Sequence, residues 1–114
     1  MKVCNIDFGI NEIDEKVLVI SILGILDALY EKKITIIESQ KYLFSPYIID
    51  KLVNLKCKKE IVELIEKGCE LEDVESLVPN KLDDNISILR KEALFQLDKL
   101  EKHEKEKWFL IVQE

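Results

Sequence analysis

Hydrophobic positions follow two different periods along this chain. Between residues 3 and 10, Cys4, Ile6, Phe8 and Ile10 alternate with Asn5, Asp7 and Gly9. A period of two predicts a half-buried strand there. At the other end, residues 108–112 are five apolar positions in a row behind a lysine-rich stretch. They read as a second strand or as the end of the last helix. The strand is the preferred reading, because pairing the two termini would use both β segments, although a two-stranded ribbon needs helices to pack on.

Between these ends the spacing is helical. Asn11 stands as an N-cap ahead of Glu12, Asp14 and Glu15, which predicts a helix running to about Lys32. From Val17 to Leu29 only Ser21, Gly24 and Asp27 interrupt its apolar surface, the pattern of a helix enclosed by others, with Gly24 open to a close neighbour. Thr35 and Glu38 form a T-x-x-E capping box for a second helix to about Phe44. Ser45 and Pro46 start a third, to about Leu55, burying Ile48 or Ile49 together with Leu52.

A fourth helix over 58–67 turns Ile61, Leu64 and Ile65 inward, and Gly68 reads as its C′ stop. A fifth, over 71–78, aligns Leu71, Val74, Leu77 and Val78 and ends at Pro79. Asp83 or Asp84 opens a sixth, to about Lys105, with Ile86, Leu89, Ala93, Leu97 and Leu100 on its inner stripe. The expected fold is mainly α, a single helical domain over 1–114. About six helices pack around the buried first one, and the N- and C-terminal segments are free to form a two-stranded sheet.

Composition narrows the function more than the fold. The 114 residues are 47% apolar and 35% charged with three Gly and two Pro, the usage of a packed helical protein. A net charge of −6 and a single arginine, Arg90, argue against nucleic acid and anionic lipid as partners, since both reward cationic side chains. The apolar run from Val17 to Leu29 is thirteen residues long, short of the roughly 20 needed to span a bilayer. It also starts too deep in the chain for a secretory signal. Three unpaired-looking cysteines, Cys4, Cys57 and Cys69, suit a reducing compartment, so the expected location is cytoplasmic.

The acid is unevenly placed. Residues 60–84 hold nine Asp or Glu against Lys67 and Lys81, a local balance of −7, whereas 45–59 carry four lysines against Asp50. Glu63, Glu66, Glu70, Glu72, Asp73 and Glu75 gather on the expected fourth and fifth helices and the corner between them. A surface of one sign steers an oppositely charged partner. The plainer reading is a solvated face, with Glu70, Glu72 and Asp73 serving the start of the fifth helix. Tyr42, Phe44 and Tyr47 cluster at the Ser45–Pro46 corner, either as wedges between helices or, for Tyr42 and Tyr47, as anchors for a partner.

No catalytic, cofactor or metal site assembles from the sequence. The acids between Glu70 and Glu75 lack the alternating, glycine-bearing spacing of a calcium loop. A nucleophile needs a base within reach, and His103, the only histidine, lies among Lys and Glu on an expected helix surface. Cys69 follows Gly68, where its plain role is a hydrophobic contact with Leu64 at a helix end.

Two segments carry a resemblance: Tyr42-Leu43-Phe44-Ser45-Pro46 and Gly68-Cys69-Glu70-Leu71-Glu72-Asp73-Val74-Glu75-Ser76-Leu77. With the helix spacing between them, covering about the middle half of the chain, they resemble a family of short bacterial proteins known as a domain of unknown function. That resemblance implies no activity and no functional residue. By type, a small, acidic, noncatalytic chain is also similar to the immunity proteins of bacterial toxin systems, whose targets often present basic surfaces. The functional expectation is therefore a noncatalytic protein-binding module, most concretely an immunity protein that masks a basic toxin, without cofactor, nucleic acid or membrane. The alternative is a structural or regulatory homodimer joined through the terminal strands or the Tyr42–Tyr47 corner.

Overall fold

The structure is a computed structural model that describes residues 14–100. Among these residues it is helical throughout, with five α-helices and no strand. They are α1 (Glu15–Tyr30), α2 (Ile36–Tyr42), α3 (Pro46–Asn54), α4 (Lys59–Leu77) and α5 (Leu82–Lys99), with a 3-10 turn at Pro79–Lys81 before the last. The expected terminal strands and their two-stranded sheet lie outside the described residues.

Local chemistry sets most of the helix starts. Asp14 caps α1, its Oδ1 accepting from the amides of Lys16 and Val17 at 3.1 Å each, so the cap falls three residues after Asn11. The Thr35–Glu38 capping box forms in both directions at 3.1 and 2.9 Å. Ser45 Oγ accepts from the amide of Ile48 at 3.3 Å, with Pro46 at the first helical position, where a missing N–H costs nothing. Lys58, ahead of α4, has no side-chain cap of its own. The Glu15 carboxylate reaches across from α1 and accepts from the Lys58 amide at 2.6 Å, setting negative charge at the positive end of α4.

Two of the helix ends are set by lysine. After α1 the amides of Lys32 and Lys33 bond back to Leu29 and Ala28, and after α3 those of Lys56 and Cys57 bond to Val53 and Leu52. Both are Schellman closures, in which the residue after the cap takes left-handed backbone. Here that residue is Lys32 (φ 63°) and Lys56 (φ 60°).

Gly68, expected to end a helix, lies inside one. The segments expected as a fourth and a fifth helix are the single α4, nineteen residues long, so the count of six is replaced by five among the described residues. The reason is steric. Gly68 is buried beneath the Phe44 ring, and a Cβ built on it would meet Phe44 Cδ1 at 2.6 Å, well inside contact distance. The glycine keeps helical backbone and is there to let an aromatic ring in. Gly24, the glycine expected to admit a neighbour, faces open space, with nothing within 4 Å of a Cβ built there.

The core joins Leu18, Ile22 and Leu26 of α1, Ile61 and Ile65 of α4, Ile86, Leu89 and Ala93 of α5, and Phe44 and Leu52. α1 lies against α5, α4 against α5, and α2 and α3 against α4. The first helix is therefore central but not enclosed: Ile20, Gly24, Asp27 and Tyr30 stay exposed along one side. Ion pairs Lys32–Asp83 (2.7 Å) and Arg90–Asp27 (3.3 Å) join α1 and its following turn to α5, and Lys67–Glu92 (2.8 Å) joins α4 to α5. Each is exposed and contributes about 0–1 kcal/mol. The last helix stops at Lys99, short of the expected Lys105, with Leu100 in extended backbone.

Candidate functional site

The long α4 decides where the acids go. At about 100° per residue, Glu63, Glu66, Glu70 and Asp73 share one stripe of the helix, spaced by three and four positions. Ile61, Ile65 and Gly68 occupy the opposite, buried side. Glu66, Glu70 and Asp73 are exposed and Glu63 is half-buried. Among the described residues none of these four carboxylates has a hydrogen bond or ion pair.

Glu72 and Glu75 turn to the other side. Glu72 accepts from Gln40 Nε2 of α2 at 3.0 Å, and Glu75 stays exposed where α4 runs past the core. The expected apolar face of the last turns does not close: Leu77 is 77% exposed and Val78 is also open, while Leu71 alone is fully buried. Tyr42 and Tyr47 are 63% and 66% exposed, while Phe44 between them is the wedge. Because Phe44 and Gln40 meet α4 on the Gly68–Glu72 side, the tyrosine corner and the acidic stripe do not share a face. Lys51 Nζ stands 5.9 Å from the Tyr47 ring centre.

Electrostatically the stripe is only partly relieved. Glu63 with Glu66, Glu66 with Glu70, and Glu70 with Asp73 are like charges at helical neighbour spacing, each costing about 0.2–0.5 kcal/mol. No basic residue stands in the last turn of α4, where the helix dipole is negative and Glu75 adds to it. The plainer reading of Glu70, Glu72 and Asp73, as acids helping a helix to start, has no helix start to serve. Lys59 and Lys67 stand four residues to either side of Glu63 on α4; Lys67 is ion-paired with Glu92, and Glu92 first, then Glu63 and Glu70, raise its pKa above the usual lysine value.

The two described cysteines are half-buried and free. Burial above all, then the charge of Glu15 and a hydrogen bond to it, push the Cys57 thiol up to about 12. It is held protonated at neutral pH. Cys69 is raised in the same direction, by burial and then by Glu66 and Glu70, and packs against the core from mid-helix instead of closing a helix end. No group of three or more His, Cys, Asp or Glu among the described residues is placed to hold a metal ion. No described helix is long and apolar enough to cross a membrane.

One region escaped sequence reasoning. Between α4 and α5 lies a cavity of about 190 Å³ lined by Glu60, Glu63, Leu64 and Lys67 of α4 and by Glu92, Phe95 and Gln96 of α5. Gln96 is only 8% exposed, and its Oε1 is buried without a donor among the described residues. The available signal was positional: Ile86, Leu89, Ala93 and Gln96 continue one inner stripe, with a glutamine where an apolar residue belongs.

The two segments that carried the resemblance meet in space, since Phe44 of one sits on Gly68 of the other. The profile of a family described as protein of unknown function (DUF3969) matches residues 10–110, well beyond the middle half of the chain. The chain belongs to that family. No curated protein matches it, and no solved structure does. Both segments lie within the matched residues, and the Phe44–Gly68 contact joins them.

Proposed function

We propose that this DUF3969 member is a noncatalytic protein-binding module whose α4 stripe, Glu63, Glu66, Glu70 and Asp73, receives a basic protein surface. The most concrete form of this reading is an immunity protein that masks a basic bacterial toxin in the cytoplasm. The observation that carries it is the set of four carboxylates on one face, none of which forms an ion pair or hydrogen bond among the described residues. A protein selected for stability alone would place lysines three or four residues from these acids, and α4 has only Lys59 and Lys67 for seven acids.

A field of one sign along a straight helix raises the encounter rate with a cationic partner and loses that advantage in salt. The partner's charges would also remove the repulsion among the glutamates, so part of the binding free energy comes from strain already present in the free protein.

The test uses the partner captured from the native host by the wild-type chain. Glu66→Lys, Glu70→Lys and Asp73→Lys together should weaken its binding by at least about tenfold. A matched triple at the exposed acids Glu31, Asp50 and Asp98, with the same change in net charge, should leave binding within about twofold. Equal binding by both triples rejects the stripe as the interface.

A further inference from the structure

α1 is apolar nearly all round: from Val17 to Tyr30 its only charged residue is Asp27. That is the pattern of a helix covered on every side, yet its neighbours among the described residues leave one side open. The ion pairs Lys32–Asp83 and Asp27–Arg90 set α1 and α5 antiparallel. One turn from the second pair, toward the start of α1 and the end of α5, Leu23 comes opposite Leu94, and the next turn brings Ile20 and Leu97. The seam between the two helices is apolar there and uncovered among the described residues, with Ile20 41% and Leu94 38% exposed.

The chain leaves this same end of the molecule at Leu100, which packs against the core just after α5. Residues 101–107 beyond it are all polar or charged. Residues 108–112, from Trp108 to Val112, are the longest apolar run outside the described residues. The family match runs to residue 110, so it takes in Trp108, Phe109 and Leu110 together with the helices.

We propose that residues 108–112 dock in the α1–α5 seam, so that the chain covers the open side of its own first helix. The seven residues 101–107 can span up to about 23 Å, whereas Ile20 and Leu23 lie only about 8–12 Å along the axis from the start of α1. Every position of the block is apolar, so whichever side turns inward removes apolar surface from water against Ile20, Leu23, Leu94 and Leu97. A tether this short holds the block at an effective concentration on the order of millimolar, which a second copy of the chain does not match. None of the stripe carboxylates takes part, and the contact stands apart from the binding role proposed above.

Trp108 is the only tryptophan, so its fluorescence reports on the block alone. In the full chain acrylamide should quench it weakly, and Ile20→Lys with Leu94→Lys should raise the quenching constant about threefold. Ile37→Lys with Ile88→Lys, the same charge change at exposed apolar positions outside the seam, should leave it as in wild type. Reciprocally, Trp108→Ala in the 15N-labelled chain should shift the backbone amides of Ile20, Leu23 and Leu94 and not those of Ile37 and Ile88. Trp108 quenched as freely as N-acetyl-tryptophanamide, or equally in both double variants, overturns the contact. So does burial that disappears on dilution, which assigns the seam to a second copy. Seam amides that respond to Phe8→Ala but not to Trp108→Ala assign it to the N-terminal segment and overturn it as well.

Discussion

The two sides of α4 are built to opposite rules. On the inner side Ile61, Ile65 and Gly68 are buried, and a glycine has been spent at mid-helix so that Phe44 can reach the helix backbone. On the outer side Glu63, Glu66, Glu70 and Asp73 repel one another, and none of them forms an ion pair among the described residues. The inner side gains stability at the expense of helix propensity, since Gly in a helix costs about 1 kcal/mol relative to Ala. The outer side gives up stability without an ion pair in return among the described residues. The difference is what the proposed binding role of the outer side would produce.

The comparison breaks most sharply at Phe44. Phe44→Ala removes a ring that is 1% exposed and leaves a cavity over Gly68, so denaturant unfolding should show a loss of about 3–5 kcal/mol. Next comes Gly68→Ala, whose methyl would overlap the same ring; the gain in helix propensity is outweighed, and a net loss of about 1–3 kcal/mol is expected in the same assay. Gly24→Ala sharpens the contrast, because it faces open space in an exposed helix position and should stabilise by about 0.5–1 kcal/mol. Two glycines, both within helices, should thus respond with opposite signs, and a common sign would undo the account of Gly68. The outer side gives the smallest effect: neutralising Glu66, Glu70 and Asp73 should raise stability by about 0.5 kcal/mol at low salt, fading as salt screens the repulsion.

Much of the helical layout was legible because it is local. The Thr35–Glu38 box, the Ser45–Pro46 start and the inner positions Leu52, Ile61, Leu64 and Ile65 follow from spacing and capping within one turn, while of Ile48 and Ile49, which spacing left open, Ile48 is the buried one. Glycine misled in both directions. Gly68 carries the usual mark of a helix end, while the actual Schellman closures use Lys32 and Lys56, which nothing in sequence distinguishes from solvated lysines. Whether a glycine stops a helix or admits a ring depends on a partner 24 positions away, Phe44, and that contact is tertiary.

The candidate site divides the same way. Acid concentration between residues 60 and 84 was visible from composition alone. Sorting it into a stripe of Glu63, Glu66, Glu70 and Asp73, with Glu72 and Glu75 turned aside, required knowing that one helix runs through Gly68. Phe44 and Gln40 near the tyrosine corner meet α4 on the side away from the stripe, and Gln96 was hidden because only packing makes a glutamine buried.

The central claim is that the outer face of α4 is kept acidic for a partner at the expense of the free protein. The most direct measurement takes one variant, Glu66→Gln with Glu70→Gln and Asp73→Asn, and reads both its unfolding free energy at low salt and its affinity for the partner captured from the host. The account predicts that stability rises while affinity falls. A variant that is no more stable than wild type and binds the partner equally well would contradict it.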